Sequence, residues 1–239
     1  YNDFIDDDHF NMYLMSFSGH LPYNYDNQYI CQKNREEAES LLSGKGYSDE
    51  AVAYVAAQME LDKALEYLMD KLEEAGKLDN TLFIVAPDHY PYGLSDGVYN
   101  ELAGKDIEDD DFELHRNQFG IWCSSMGKPV VVNKLCASID ILPTVLTLLG
   151  TDFDSRLLAG RNILSNSDEL VIFADQSFIT DKIKYDASTG ETIYLVPESQ
   201  VPDDYLDSMI AEVENRLYIS DEVIGTDYFS FVYGKSSDR

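Results

Sequence analysis

An α/β fold with a mostly parallel central sheet flanked by helices is what this sequence predicts, and three observations carry the prediction. A long amphipathic helical pattern from Ser48 to Gly76 is followed by a four-residue turn and then by the unbroken apolar run "LFIVAP". A helix, a short loop and a continuous hydrophobic strand make the αβ unit of a sheet covered on both faces. Strand and helix signals then alternate along the rest of the chain. No internal repeat and no low-complexity linker interrupts the 239 residues, so the expectation is one α/β domain over residues 1–239 with a full core.

The elements follow in order. "HFNMYLMSFSGH" reads as an apolar strand running into a Ser-Gly-His loop, and "REEAESLL" as a short helix. In the long helix Ser48 is placed to N-cap, and Asp49 and Glu50 sit in the first turn, where the helix dipole favours anions. Val52, Val55, Met59, Leu65, Leu68 and Leu72 recur on one face, and Gly76 is a natural stop. The strand "LFIVAP" ends in Asp88-His89, with Tyr90, Pro91, Tyr92 and Gly93 behind it. Residues 95–113, rich in Asp, Glu and Gly, predict a loop. "NQFGIWCS" predicts a strand with Trp122 in the core. A helix opens near Leu142 or Pro143 and closes at Gly150, since proline is tolerated in a first turn. "ELVIFA" is a further strand. "SFITDKIKYDASTGETIYLV" alternates as a C-terminal hairpin around a Ser-Thr-Gly turn. The last helix spans about 202–217, with Leu206, Met209, Ile210, Val213 and Leu217 on one side.

Composition narrows the function classes. At 44% hydrophobic residues the chain is globular. The net charge of −28 leaves nothing to neutralise a phosphate backbone, which excludes nucleic acid as a partner, and it excludes docking on anionic lipid through a basic patch. Cys31, Cys123 and Cys136 form no C-x-x-C pair and read as ordinary thiols. No run is long enough to span a membrane. A first residue of Tyr rather than Met suggests a piece cut from a longer product.

Asp88 and His89 lie where a sheet strand gives out, the place where ligands sit in open α/β sheets. A carboxylate oxygen beside an imidazole nitrogen suits a divalent ion, and Pro87 and Pro91 stiffen the backbone on either side. The same pair equally suits a capped polar loop. His20 ends another apolar run and has the chemistry to donate to an anionic oxygen or protonate a leaving group, or to bond a loop carbonyl.

In combination these segments carry a resemblance. "MSFSGHLPY", the long helix ending "ALEYLMDKLEEAGKLDNTLFIVAPDHY", and "SIDILPTVLTLLGTDFDSRLLAGRNILS" resemble the C-terminal part of the sulfatase-like catalytic domain of lipoteichoic acid synthases and related phosphoglycerol transferases, in the alkaline phosphatase superfamily. The likeness runs from about Phe10 to about Phe178. It implies that Asp88 and His89 ligate one divalent cation, most often Mn2+ in this family, with Mg2+, Ca2+ or Zn2+ as the other choices. It implies that His20 contacts the substrate phosphate, and, through a weaker match, gives His115 and Arg116 a share in substrate binding. The implied reaction is phosphoglycerol transfer from a lipid-linked, anionic ester substrate for cell-envelope polymer synthesis, or sulfatase- or phosphodiesterase-type ester hydrolysis. A non-catalytic acidic binding domain is the reading from another class.

The family's nucleophilic threonine and a further acidic ligand belong upstream of the segment matching Phe10. No Thr lies among the first nine residues here, and Asp6, Asp7, Asp8, Ser16 and Ser18 carry no mark of the role. The expectation is therefore a part of the site without its nucleophile, little turnover by this chain alone, and a partner in the missing N-terminal half of the same domain. The resemblance also implies a parent tethered by an N-terminal transmembrane region at the extracellular face of the cell membrane. Arg156 and Arg161 are expected to anchor a loop by ion pairing. Tyr90 and Tyr92 flank the metal pair, and sequence does not separate packing tyrosines from sugar- or lipid-facing ones.

Overall fold

The structure is a computed structural model that describes residues 5–234. The chain divides into two compact units, Tyr1–Pro129 and Val130–Arg239.

The first unit is built around one long helix. Its elements are α1 (Tyr29–Lys33), α2 (Arg35–Leu41), α3 (Asp49–Glu74), β1 (Phe83–Val85), α4 (Val98–Ala103), α5 (Asp111–Leu114) and β2 (Gly120–Trp122). The ends of α3 are those the residues dictate. Ser48 Oγ accepts from the Ala51 N–H at 3.2 Å. Gly76, at φ +69°, closes the helix. Its N–H donates to the Glu73 carbonyl at 2.9 Å, and the Lys77 N–H donates to Leu72 at 2.8 Å, the paired bonds of a Schellman end. Of the large residues expected on the buried face, Val52 and Leu72 are buried, but most of the buried positions are alanines instead. Ala51, Val52, Ala53, Ala56 and Ala57 are fully or nearly fully buried, whereas Val55, Met59, Leu65 and Leu68 are only half-buried. Small side chains let α1 and α2 approach α3 closely, which a leucine face would prevent.

The core of this unit gathers Tyr23, Cys31, Ala51, Ala53, Ala57, Leu94 and Val98, with Leu21, Tyr54 and Tyr99 packed against them. Two loops thus share one core with α3: residues 19–23, and residues 90–99 beyond β1. A polar bracket ties α2 to α3. Buried Asn34 donates from Nδ2 to the Ala56 carbonyl at 3.0 Å and to Glu60 Oε2 at 3.1 Å, and accepts from Lys63 Nζ at 2.8 Å.

The α/β class stands, and the helix–loop–strand step from α3 to β1 is present. The ladders among the described residues are nevertheless all antiparallel. β2 returns against β1 with Phe83 opposite Trp122, Ile84 opposite Ile121 and Val85 opposite Gly120. An αβ step fixes how one strand is entered but not the direction of its neighbour. The strands are also more open than an unbroken apolar run predicts. Ile84 and Val85 point to opposite faces, and each is 42% exposed. Trp122, expected in the core, is 39% exposed and meets Phe83 edge-on at 5.6 Å. The run 10–17 forms no strand, and Tyr13, Leu14, Met15 and Phe17 are exposed. Apolar residues alone do not make a strand; it needs a ladder partner, and this run has none among the described residues.

The second unit carries α6 (Ile141–Leu148), β3 (Leu170–Ile172), β4 (Phe178–Thr180), β5 (Ile183–Tyr185), β6 (Thr192–Tyr194), α7 (Tyr205–Gly225) and α8 (Tyr228–Tyr233). β3 to β6 form an antiparallel meander in chain order. The expected hairpin is present as β5 and β6 around Gly190, at φ +73°. The run before it breaks at Asp181-Lys182 into two strands, because Thr180 Oγ1 accepts from the Lys182 and Ile183 N–H groups and closes a turn. Leu170, Phe178, Ile183 and Val213 form the core, and Leu206, Met209, Ile210 and Leu217 of α7 pack on it, which is the face the spacing predicted. Buried Asp140 holds the loop after α6: Oδ2 accepts from the Ala137 N–H at 2.8 Å and Oδ1 from the Arg161 N–H at 2.6 Å. Arg161 thus anchors its loop through its backbone N–H, with no ion pair of its side chain among the described residues, while Arg156 does pair with Asp154, at 2.6 Å.

Candidate functional site

β1 ends at Val85, and after Ala86 and Pro87 the chain bends out with Asp88 and His89 both exposed. Asp88 Oδ2 and His89 Nε2 stand 3.5 Å apart. Donors about 2.1 Å from one cation are about 3.0 to 3.4 Å from each other in octahedral or tetrahedral geometry. The observed spacing therefore fits two neighbouring positions around a single ion with little adjustment. On the other side of the ring, His89 Nδ1 lies 2.6 Å from the Tyr90 carbonyl oxygen. A carbonyl only accepts, so Nδ1 carries the proton, and in the neutral ring Nε2 keeps its lone pair. Metal-ligating histidines are oriented in just this way by a carbonyl behind them.

The turn that follows is tightly bonded. The Tyr90 carbonyl accepts a second bond from the Tyr92 N–H at 2.8 Å, and the Pro91 carbonyl accepts from the Leu94 N–H at 3.1 Å. The Tyr99 hydroxyl, on α4, donates to the same Pro91 carbonyl at 3.0 Å. The two tyrosines that follow the Asp88–His89 pair differ in the structure. Tyr90 packs edge-on against Tyr92 at 6.3 Å and against His115 at 4.9 Å, whereas Tyr92 is 52% exposed with its ring 4.7 Å from that of His89.

His20 is held in a similar manner on its own loop. Its Nδ1 lies 2.9 Å from the Leu21 carbonyl, which leaves Nε2 outward, and its ring stacks on Phe17 at 5.0 Å. The Tyr23 hydroxyl donates to the Gly19 carbonyl at 3.0 Å. Burial pushes the Tyr23 hydroxyl up to about 12, with the neighbouring Tyr54, Tyr99 and Tyr92 adding to it, and burial likewise raises Tyr99. Both hydroxyls are firmly protonated donors. The two histidine loops meet at Gly93, where an added Cβ would lie 2.6 Å from Leu21 Cδ2 and 2.7 Å from Leu21 Cβ. Only a residue with no side chain fits that approach.

His115 follows the last turn of α5, with Nδ1 2.8 Å from the Asp111 carbonyl and its ring against Tyr90. Arg116 is exposed and lies 3.4 Å from Glu113 Oε2, a carboxylate that also takes Lys105. Lys105, ahead of Arg116, holds Glu113 below the usual carboxylate range. The structure thus sets Asp88 beside His89, puts His115 one ring away through Tyr90, and packs the loop of His20 on theirs. Arg116 is turned to a carboxylate. Among the described residues, no group of three or more His, Cys, Asp or Glu is close enough to hold a metal ion by itself. Tyr23, Gly93 and Tyr99 support the site and left no sequence signal: Gly93 meets Leu21 from far along the chain, and the two tyrosine hydroxyls act on backbone carbonyls, which every residue carries.

Comparison with known proteins agrees on one family. A sulfatase family model matches residues 2–151. Lipoteichoic acid synthase of Staphylococcus aureus strain USA300 is 27% identical over 231 residues, covering 93% of this chain and 33% of its own length, and that of strain COL matches with the same figures. The chain thus spans about a third of the curated relatives it matches. The crystal structure of a lipoteichoic acid synthase of Listeria monocytogenes superposes with a TM-score of 0.62 at 19% identity, over 88% of this chain and 52% of that one. No helix among the described residues is long and apolar enough to cross a membrane.

Proposed function

The chain belongs to the sulfatase family, with a fold like that of the lipoteichoic acid synthase domain in the alkaline phosphatase superfamily, and on that premise we propose that it is part of a metal-dependent phosphoglycerol transferase. The observation that carries this is the Asp88–His89 pair, whose donors stand 3.5 Å apart with His89 Nδ1 tied to a carbonyl behind. Asp88 Oδ2 and His89 Nε2 would hold the cation, and Mn2+ is the ion we assign, ahead of Mg2+, Ca2+ and Zn2+. Once bound, a cation there supplies charge neutralisation for a phosphoryl group and lowers the pKa of an attacking hydroxyl.

The chain's own residues do the rest. His20 presents Nε2 to an anionic oxygen of the substrate, and its stacking on Phe17 limits the directions in which the ring points. His115, held by the Asp111 carbonyl, extends the same rim; Arg116 has the weaker claim, since it already faces Glu113. None of these residues is an attacking hydroxyl, and we assign that role to none of them, so little or no turnover is expected from this chain alone. The substrate class is a lipid-linked glycerophosphate, and the setting an outward-facing domain tethered to the cell membrane. The name that the curated relatives carry, lipoteichoic acid synthase, supports the first. The sulfatase model favours ester hydrolysis at the same site as the second reading.

Titration calorimetry with Mn2+ tests the proposal. Wild type is expected to bind at least about tenfold more tightly than Asp88→Ala, since one of two ligands is lost. Equal weak binding by both would leave an acidic binding domain with no metal centre. Assay of the longer parent with phosphatidylglycerol and with a chromogenic sulfate ester separates transferase from hydrolase.

A further inference from the structure

Each histidine loop is pinned from the core by a tyrosine hydroxyl, Tyr23 to the Gly19 carbonyl and Tyr99 to the Pro91 carbonyl. The two pins differ in what lies beyond them. The Gly19 carbonyl precedes His20 and takes no part in its Nδ1 bond, which goes forward to Leu21. The Pro91 carbonyl belongs to the peptide next to the Tyr90 carbonyl, and the latter is the acceptor for His89 Nδ1. We propose that Tyr99 is a positioning residue for His89. By pinning the 90–93 turn it keeps the Tyr90 carbonyl aimed at Nδ1, and so keeps the ring proton off Nε2, the nitrogen that faces Asp88. The consequence for cation binding rests on the metal reading above; the tautomer does not.

Four observations support this. The Tyr90 carbonyl accepts from two donors, His89 Nδ1 and the Tyr92 N–H, within the turn that Tyr99 pins. Pro91 offers no N–H to hold that turn, so its carbonyl is its one polar anchor, and Tyr99 takes it from outside the turn. α4, which carries Tyr99, is fixed by buried Val98 in the core of the unit, so the hydroxyl has a rigid base. Burial keeps the phenol protonated, so it always donates. Freed from such a bond, a neutral imidazole in water exchanges its proton between both nitrogens, and the hydrogen bond made by one nitrogen decides which is available. With the proton on Nε2, His89 has no lone pair to offer on the Asp88 side.

Long-range 1H–15N NMR on the metal-free chain at about pH 8.5, where histidines are neutral, tests the inference. Wild-type His89 is expected to show protonated Nδ1 and bare Nε2. Tyr99→Phe keeps the ring and loses the hydroxyl, and is expected to move His89 toward a mixture of both tautomers. Tyr23→Phe removes the other pin and is expected to leave the His89 pattern as in wild type. In the same variants, Mn2+ affinity is expected to fall about tenfold in Tyr99→Phe, the low end for a group behind a metal ligand. A wild-type His89 with its proton on Nε2 would overturn the inference without any variant. So would an unchanged His89 pattern in Tyr99→Phe, or an equal change in Tyr23→Phe. A tautomer that shifts as expected while no protein binds Mn2+ would keep the clamp and remove the metal reading.

Discussion

Gly93→Ala probes the contact that joins the two histidine loops. The added Cβ would stand 2.6 Å from Leu21 Cδ2, 2.7 Å from Leu21 Cβ and 3.1 Å from Cγ. Carbon atoms rest about 3.5 to 4.0 Å apart, so the shortfall is about 1 Å. Turning the Leu21 side chain relieves Cδ2 but not Cβ, which moves only with the backbone. Residues 20–22 must therefore retreat. Overpacking of this kind costs about 1 to 3 kcal/mol. Replacing glycine restricts the unfolded chain and returns about 0.4 to 1 kcal/mol. Gly93 is outside the left-handed region, so no backbone penalty is added. The difference of the two ranges is about 0 to 2.6 kcal/mol. Because the clash with Leu21 Cβ is relieved only by backbone movement, the upper part, about 1 to 2.6 kcal/mol, is expected, or about 2 to 10 °C in melting temperature for a chain of this size. Urea unfolding followed by the fluorescence of Trp122, the one tryptophan, reads this unit alone. The displaced loop carries His20 and leaves Asp88 and His89 in place, so Mn2+ affinity should change less than about twofold. A midpoint within about 0.5 kcal/mol of wild type, the range of an ordinary surface substitution, would refute the close approach.

Other expectations follow from single contacts. Gly160→Ala would put a Cβ 1.9 Å from the Ile139 carbonyl oxygen. No side-chain motion relieves that clash with backbone, so the second unit should lose more than about 3 kcal/mol in urea unfolding monitored by tyrosine circular dichroism. Asn34→Ala leaves Lys63 Nζ with Glu37 alone and removes the two hydrogen bonds that Asn34 Nδ2 donates to the Ala56 carbonyl and Glu60 in the α2–α3 bracket; a loss of about 1 to 3 kcal/mol is expected in the Trp122 unfolding assay. Tyr23 gives a pH signature. Its folded-state pKa of about 12 lies above the ordinary 10, so its contribution to stability is intact below pH 10 and fades as pH rises from 10 toward 12. Ultraviolet difference titration of wild type against Tyr23→Phe should show one phenol ionising near 12; ionisation at 10 would contradict the burial.

What could be read in advance was local. Ser48 and Gly76 marked both ends of α3, Gly150 marked the end of α6, and the apolar face of α7 packs as its spacing required, because caps and helical periodicity act within a few residues. The Asp88–His89 pair stood out because it follows an apolar strand. What could not be read depends on distant partners. The run 10–17 has strand composition but no ladder partner among the described residues. The break between β4 and β5 depends on one threonine hydroxyl turned toward two amides. Gly93, Tyr23 and Tyr99 matter for what meets them from 70 to 80 residues away or through a backbone carbonyl, and a single sequence records neither. The fold class followed from composition and order; the direction of strand pairing did not.

The openness of the β1–β2 ribbon bears on how copies of this protein behave in solution. A short apolar strand with unpaired groups along its rim is a template for intermolecular pairing. The charge of −28 opposes that encounter at neutral pH and low salt. Acidification toward the carboxylate range, or salt enough to shrink the screening length to a few ångströms, withdraws the opposition. Precipitation should therefore set in with added salt or acid well before either unit unfolds.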